Sequence, residues 1–99
     1  MSEEKSPVQM IMEARPEVMK NYLTYLDSLG KSLDDKTRQL IVLAVQTAAK
    51  SPGGVRAHIP KAKKAGATKE EILDAIMIAM PTIGLGALLQ IIPLVLKED

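Results

Sequence analysis

The chain has 99 residues, a formal net charge of +1 and no cysteine. Its length allows one small domain, its charge gives no electrostatic steering toward nucleic acid or acidic partners, and the absence of cysteine excludes disulfides, thiol catalysis and thiolate metal sites. Apolar residues make up 46% of the chain but aromatic residues only 2%, so the core has to be built from aliphatic side chains and methionine, which suits packed helices.

The N-terminal third of the chain predicts two helices. Ser6, Pro7 and Gln9 have the spacing of an N-cap, a proline at the first helical position and a capping glutamine. This first helix should end before Pro16, because a proline disfavours a helical conformation at the residue before it. Pro16 can open a second helix, and Gly30 is its natural C-terminal stop.

The third predicted helix is a buried central one. Ser32 and Asp35 resemble a capping box and predict a helix that runs to about Lys50. Residues 40–45 are apolar on all sides, a pattern that also suits a strand. We favour a helix, because the periodic stretch is longer than a strand and contains no turn signal.

Two further helices follow in the second half of the chain. Ser51 can cap a fourth helix. Pro60 falls inside that helix and should either kink it or indicate a later start. Thr68 and Glu71 form a capping box for a fifth helix, which Pro81 should end.

The C-terminal residues 75–96 carry no charge and are numerous enough to raise the question of a membrane span. Two prolines and two glycines interrupt them, so we favour two helices that form an apolar hairpin buried in the core and in a subunit interface. The sequence thus predicts an all-α fold of about six helices in a single domain over residues 1–99. Residues 1–6 are expected to be a flexible tail, and because no apolar signal segment follows them we expect a cytoplasmic protein.

Three parts of the chain resemble a known family: Thr37–Val45, then His58, then Ala65–Ile72. In this order they are similar to the carboxymuconolactone decarboxylase and alkylhydroperoxidase D-like superfamily, and the resemblance covers roughly residues 8 to 96. It implies an all-helical fold whose members assemble as homotrimers or homohexamers through helical hairpins.

The peroxidase branch of that superfamily uses a relay of one glutamate, two cysteines and one histidine. By resemblance, the cysteines would fall on Ser51 and Gly54 and the glutamate on Gln39, so that only His58 is present here. Disulfide-linked peroxide reduction needs a thiolate and a resolving thiol. A hydroxyl and a glycine supply neither, so thiol peroxidase activity is not expected.

The decarboxylase branch also lacks the cysteine pair, so its chemistry stays open. Lactone decarboxylation needs a group that moves a proton and a site that holds a carboxylate. His58 suits the first task, and Arg56 or the N–H groups at the start of its helix suit the second. Gln39, Ser51 and Gly54 would lie around the ligand. The leading hypothesis is a cofactor-free lyase or isomerase on a small carboxylated substrate.

The alternative hypothesis is a non-catalytic binding or assembly protein on the same scaffold, because Gln39 replaces an acid that family members often carry and His58 can be purely structural. No group of His, Asp and Glu residues has the spacing of metal ligands, and no run of Lys and Arg is interleaved with aromatic residues. We therefore expect no metal, cofactor, nucleic acid or membrane partner, and further copies of this chain as the main partner.

Overall fold

A computed structural model of the chain describes residues 4–97. These residues belong to two compact units with the boundary between Lys31 and Ser32. Every regular element of residues 4–97 is a helix, which confirms the predicted all-α class. The single domain over residues 1–99 stays a prediction, and the first three residues of the predicted tail lie outside the described part.

The first unit contains two helices and the second contains six. The first unit holds α1 (Pro7–Ala14) and α2 (Pro16–Asp27). The second unit holds three longer helices, α3 (Asp35–Ala48), α4 (Pro52–Lys64) and α5 (Lys69–Met77). It ends in three short helices, α6 (Met80–Ile83), α7 (Leu85–Leu89) and α8 (Ile92–Leu96).

The first unit begins with the predicted capping box. The Gln9 backbone N–H donates to Ser6 Oγ at 3.1 Å, and the Ser6 N–H donates to Gln9 Oε1 at 2.8 Å, so the prediction is confirmed. Helix α1 ends at Ala14, before Pro16, as expected. Gly30 follows α2 with a φ of 69°, in the left-handed region that glycine tolerates.

The caps of the second unit agree with the sequence in two of three places. Ser51 caps α4 and Thr68 caps α5, the latter with the predicted partner Glu71. The predicted cap at Ser32 is wrong: Asp34 caps α3, and its carboxylate accepts from the Thr37 N–H at 3.2 Å. Two good capping residues lie two positions apart here, and the later one is used.

Helix α4 continues through Pro60 to Lys64. A proline inside a helix leaves the carbonyl four residues earlier without its usual donor. That carbonyl belongs to Arg56, and both Arg56 and Pro60 are exposed, so solvent can satisfy it. The helix therefore starts where Ser51 predicts.

The core of the second unit is aliphatic and draws on nearly all of its helices. Its fully buried members are contributed by α3, α4, α5 and the C-terminal segments: Leu43, Val55, Ile72, Ile76, Leu88, Ile91 and Val95. Burying each such side chain stabilises the fold by about 1.5–3 kcal/mol. The C-terminal stretch thus supplies part of the apolar core, while its side chains at Ile78, Leu85 and Leu89 are exposed. Its burial in a subunit interface stays a prediction.

The last predicted helix is divided into three short helices rather than one. Gly84 adopts a φ of 87° and separates α6 from α7, and Pro93 lies at the start of α8. Helix α5 ends at Met77, ahead of Pro81. Over residues 4–97, no helix combines the length and the apolar character that crossing a bilayer requires.

Candidate functional site

The candidate site lies where α3 and α4 pack side by side in the second unit. A tight turn joins them: the Lys50 N–H donates to the Thr47 carbonyl at 2.9 Å, and the Ser51 N–H donates to the Gln46 carbonyl at 3.0 Å. With Lys50 at a φ of 58°, this is a Schellman ending. Ser51 therefore both closes α3 and caps α4, which fixes the register between the two helices.

His58 and Gln39 form the central contact of the site. His58 Nδ1 lies 3.1 Å from Gln39 Oε1. An amide oxygen can only accept a hydrogen bond, so Nδ1 carries the ring proton and donates it. Nε2 then keeps its lone pair, which makes it the atom of the ring that can take up a proton.

The surroundings of His58 keep the ring uncharged. Burial lowers the pKa of His58 below its ordinary value, and the positive charge of Lys61 lowers it further. The side chain is half-buried, so both effects act on the charged form of the imidazole. At neutral pH the ring is therefore predominantly uncharged, and its Nδ1 is hydrogen-bonded to Gln39.

Gly54 lies one helical turn before His58, and a glutamine covers it. A Cβ added at Gly54 would come within 2.1 Å of Gln46 Oε1 and 2.9 Å of Ser51 Oγ. The Gly54 N–H donates to Ser51 Oγ at 3.2 Å. The amide of Gln46 thus fills the space into which a side chain at residue 54 would project.

The structure brings together four of the five site residues that the sequence predicts. Ser51, Gly54 and His58 follow one another on one side of α4, and Gln39 reaches His58 from α3. Arg56 is exposed and lies two residues from both Gly54 and His58, which places it on the opposite side of the helix. The structure does not bring Arg56 to the imidazole.

The predicted anion site at the start of α4 has little free donor capacity. Pro52 has no N–H, the Gly54 N–H is bound by Ser51 Oγ, and the Val55 N–H donates to the Ser51 carbonyl at 3.0 Å. The hydroxyl of Ser51 therefore serves the helix that it caps.

Sequence reasoning missed two residues of this site. Gln46 lies two turns after Gln39 on the same side of α3, so the helical period alone could have grouped them. Lys61 lies one turn after His58 and is the charged group that acts on its pKa. The spacing of Lys61 was visible in the sequence, but its nearness to a half-buried imidazole was not.

On its other side, α3 borders an apolar groove. The groove has a volume of about 590 Å³ and lies between α3 and α5. Its lining includes the exposed side chains of Ile41, Val45 and Ile78. None of the five predicted site residues lines it.

The groove and the imidazole site contain no arrangement for a metal. Within residues 4–97, no three His, Asp or Glu side chains come together as a metal ion would require. The acidic residue Glu71 at one end of the groove accepts from Lys36 Nζ at 2.9 Å and from the Thr68 N–H at 2.9 Å. Its carboxylate is committed to these structural contacts.

Comparison with known families decides the assignment. The sequence profile described as "Carboxymuconolactone decarboxylase family" matches residues 16–96. The chain belongs to the carboxymuconolactone decarboxylase family. The matched range crosses the boundary between the two compact units, so the family region includes α2 of the first unit and all the helices of the second. The resemblance inferred from Thr37–Val45, His58 and Ala65–Ile72 is thereby confirmed, for a chain without cysteine.

One relative shows a partial similarity to this family member. It is "Uncharacterized protein 4 in cox locus" of Paracoccus denitrificans, which is 40% identical over 48 residues. The match covers 48% of this chain and 43% of the relative, so less than half of that protein is represented. No solved structure matches the chain.

Proposed function

We propose that this family member is a cofactor-free lyase or isomerase that moves a proton at a carbon atom of a small carboxylated substrate. His58 is the proton carrier in this proposal. The observation that supports it is the hydrogen bond between His58 Nδ1 and Gln39 Oε1. That bond orients the ring and leaves Nε2 as the basic atom.

The same atom can serve both reaction types. In an isomerisation, Nε2 takes a proton from a carbon beside a carbonyl, the C–H electron pair delocalises into an enolate, and the imidazolium returns the proton to another carbon. In a decarboxylation, the C–C bond to the carboxylate breaks and CO2 leaves. The electron pair left on carbon then takes a proton from the imidazolium at Nε2. The ring takes up a new proton from bulk solvent, so one proton is consumed for each CO2 released.

The electrostatics of the site fit the role of a base. Burial and the Lys61 charge lower the pKa of His58, so the free base dominates at neutral pH. The lone pair of Nε2 is then available to accept a proton, and the lowered pKa makes the ring a weaker base than an ordinary imidazole. Gln39 is the neutral counterpart of a carboxylate and does not raise that pKa, so it orients the ring without taking the proton.

Turnover of carboxymuconolactone tests the proposal. The purified protein, free of added metal, should release CO2 from the lactone or incorporate deuterium from D2O at a substrate carbon. His58→Ala should lower either rate by about 10²–10⁴-fold, while Gln39→Ala should have a smaller effect because only the orientation is lost. Unchanged turnover in a folded His58→Ala variant would remove His58 from the reaction.

A second candidate function, a binding or assembly protein, is supported by the groove between α3 and α5. Ile41 and Ile78 there are 47% and 72% exposed, which is unusual for large apolar side chains that share one groove. We propose that a further copy of this chain covers the groove in a homotrimer or homohexamer.

Sedimentation of matched variants tests the assembly. Ile78→Asp places a charge in the groove, whereas Met77→Asp places one on the neighbouring residue of α5, which does not line it. Ile78→Asp should shift the protein to smaller species and Met77→Asp should not. A wild-type protein that sediments as a monomer at every concentration would rule this candidate out, and would leave the proton-transfer proposal untouched.

A further inference from the structure

Helix α4 is strongly basic. It carries Arg56, Lys61, Lys63 and Lys64 and no acidic residue. Of these cations, Lys61 is one turn from His58 on the same side of the helix, where residues three apart have their Cβ atoms about 5–6 Å from each other. Arg56 lies across the helix axis from both. Lys61 is therefore the cation that lies nearest to the imidazole along this side of α4.

We propose that Lys61 is the residue that binds the carboxylate of the substrate beside His58. This inference rests on the proposed function and names the anion-binding residue of that same site. It gives to Lys61 the role that the sequence suggested for Arg56. The class of ligand is a small organic anion, held by one ammonium group at the exposed edge of α4.

Three observations support this role. The Lys61 side chain is exposed, and it takes part in none of the ion pairs found within residues 4–97. Lys61 follows His58 by one helical turn, a spacing that makes the two side chains neighbours on the helix surface, and its charge lowers the pKa of His58. Ala57, beside His58 on the exposed part of the helix, has only a methyl group, so it leaves room for an anion to approach the ring.

Binding of an anion should also change the basicity of His58. In the free protein, the ammonium of Lys61 opposes protonation of the ring. A carboxylate that lies against Lys61 compensates that charge and favours the imidazolium form. The substrate would therefore make Nε2 a stronger base at the moment it binds, which couples recognition to proton transfer.

Binding of muconate, an unsaturated dicarboxylate, tests the inference through the NMR signals of the single histidine. Wild-type protein should bind muconate with a shift of the His58 ring signals and a rise in the pKa of His58. Lys61→Met should weaken binding by about fivefold to tenfold and should abolish the rise. Lys64→Met removes the same charge nearly two turns from His58 and serves as the matched control, with binding close to that of the wild type.

The remaining outcomes overturn the inference in distinguishable ways. If Arg56→Met weakens binding and Lys61→Met does not, the anion is held from the other side of the helix. If the dimethyl ester of muconate binds as well as the dianion, apolar contacts hold the ligand instead. If no muconate binds to the wild type, Lys61 is not a carboxylate site. In each of these cases, loss of turnover in His58→Ala would still uphold the proton-transfer proposal.

Discussion

Helix α3 meets its two main neighbours in the second unit, α4 and α5, in opposite ways. Toward α4 it presents the amides of Gln39 and Gln46, each of which lies against a defined group of the other helix. Toward α5 it presents aliphatic side chains that line a groove open to solvent. Both sides come from a single 14-residue helix.

The comparison shows that the polar side is complete and the apolar side is not. Each of the two amides lies against a group of α4, and no buried side-chain N or O atom of residues 4–97 lacks a hydrogen-bond partner. The apolar side leaves Val45 59% exposed, and burying such a side chain would contribute about 1.5–3 kcal/mol. The proposed proton transfer lies on the α4 side of α3, and the proposed association lies on the α5 side.

The largest expected effect is on stability, and it should differ between a buried residue of α3 and a residue of α3 that lines the open groove. Leu43 is fully buried in the core, whereas Val45 is exposed. Leu43→Ala should lower the free energy of unfolding by about 2–5 kcal/mol because it leaves a cavity. Val45→Ala should change it by less than about 0.5 kcal/mol in the monomer.

Urea unfolding of both variants at low protein concentration measures this difference. If Val45→Ala lowers the free energy of unfolding as much as Leu43→Ala does, the groove is already covered in solution. That result would break the distinction between a complete and an incomplete side of α3.

The second prediction introduces a carboxylate on the α4 side. Gln39→Glu places an acidic group against His58 Nδ1, where Gln39 Oε1 now lies. An adjacent negative charge should raise the pKa of His58 by about 1–3 units. Gln46→Glu is the matched control, because Gln46 faces Gly54 rather than the ring, and it should raise that pKa less.

NMR titration of the single histidine in the two variants supplies the measurement. Equal shifts in both would show that the field near His58 is set by net charge and not by the contact with Gln39. The orienting role of Gln39 would then lose its support.

The third prediction concerns the packing of Gln46 on Gly54. Gly54→Ala gains helix propensity worth up to about 1 kcal/mol, but its Cβ would collide with Gln46 Oε1. In the wild-type background the substitution should therefore give little or no gain. In a Gln46→Ala background only the contact of the new Cβ with Ser51 Oγ at 2.9 Å remains. The substitution should therefore be more favourable there than in the wild type, with a coupling of about 0.5–3 kcal/mol between the two positions.

Gly53→Ala serves as the control for this cycle, because nothing lies within 4 Å of a Cβ at Gly53. It should give its propensity gain in both backgrounds. If Gly54→Ala also gives the same gain in both, Gln46 moves away at no cost and does not fill the site.

The sequence could predict those parts of the molecule that depend on local contacts. The caps at Ser6, Ser51 and Thr68 are each formed by residues three positions apart, so the pattern that predicts them is also the whole interaction. The cap of α3 was misplaced at Ser32 because Asp34 competes for the same role only two residues later. The Pro and Gly residues of the C-terminal region predict breaks in a helix. That they divide it into three short helices depends on packing, which the sequence does not show.

The site was less accessible to sequence reasoning. The contact between Gln39 and His58 spans 19 positions, and only the family resemblance placed the two residues together. Gln46 and Lys61 carry no motif, and their relevance depends on how α3 and α4 are aligned. Arg56 was suggested by its nearness in sequence, whereas the helical period moves it to the far side. Charge alone does not choose between Arg56 and Lys61, and the choice depends on the helical spacing from His58.

The smallest expected effects concern how the stability of the protein depends on pH, which should differ between the two sides of α3. The pKa of His58 is lowered in the folded protein, so below its ordinary value near 6.5 the unfolded chain binds a proton that the folded chain does not. Stability should therefore decline as the pH falls from about 6.5 toward the lowered pKa. His58→Gln should remove that decline.

On the α5 side, protonation of Glu71 should lower the stability at a lower pH and for a different reason. The hydrogen bond from Lys36 and that from Thr68 lower the pKa of Glu71, so its ionised form stabilises the fold above the ordinary carboxyl range. This contribution is lost as the pH falls below about 4.5 through the lowered pKa. Lys36→Met should reduce that loss without removing it, because Asp34, whose pKa is lowered mainly by hydrogen bonds to Thr37, titrates in the same range.

Thermal unfolding measured from pH 7 to pH 3 separates the two contributions. His58→Gln should change the slope of stability against pH only between the ordinary and the lowered pKa of the imidazole, and Lys36→Met should change that slope only in the carboxyl range. The side chains of Lys36 and Glu71 are 36% and 39% exposed, so salt should weaken the ion-pair contribution. Burial is the main cause of the lowered pKa of His58, and salt does not screen that effect. A salt effect of equal size on both would mean that His58 is as solvated as Glu71, and the polar side of α3 would then be no more closed than the groove.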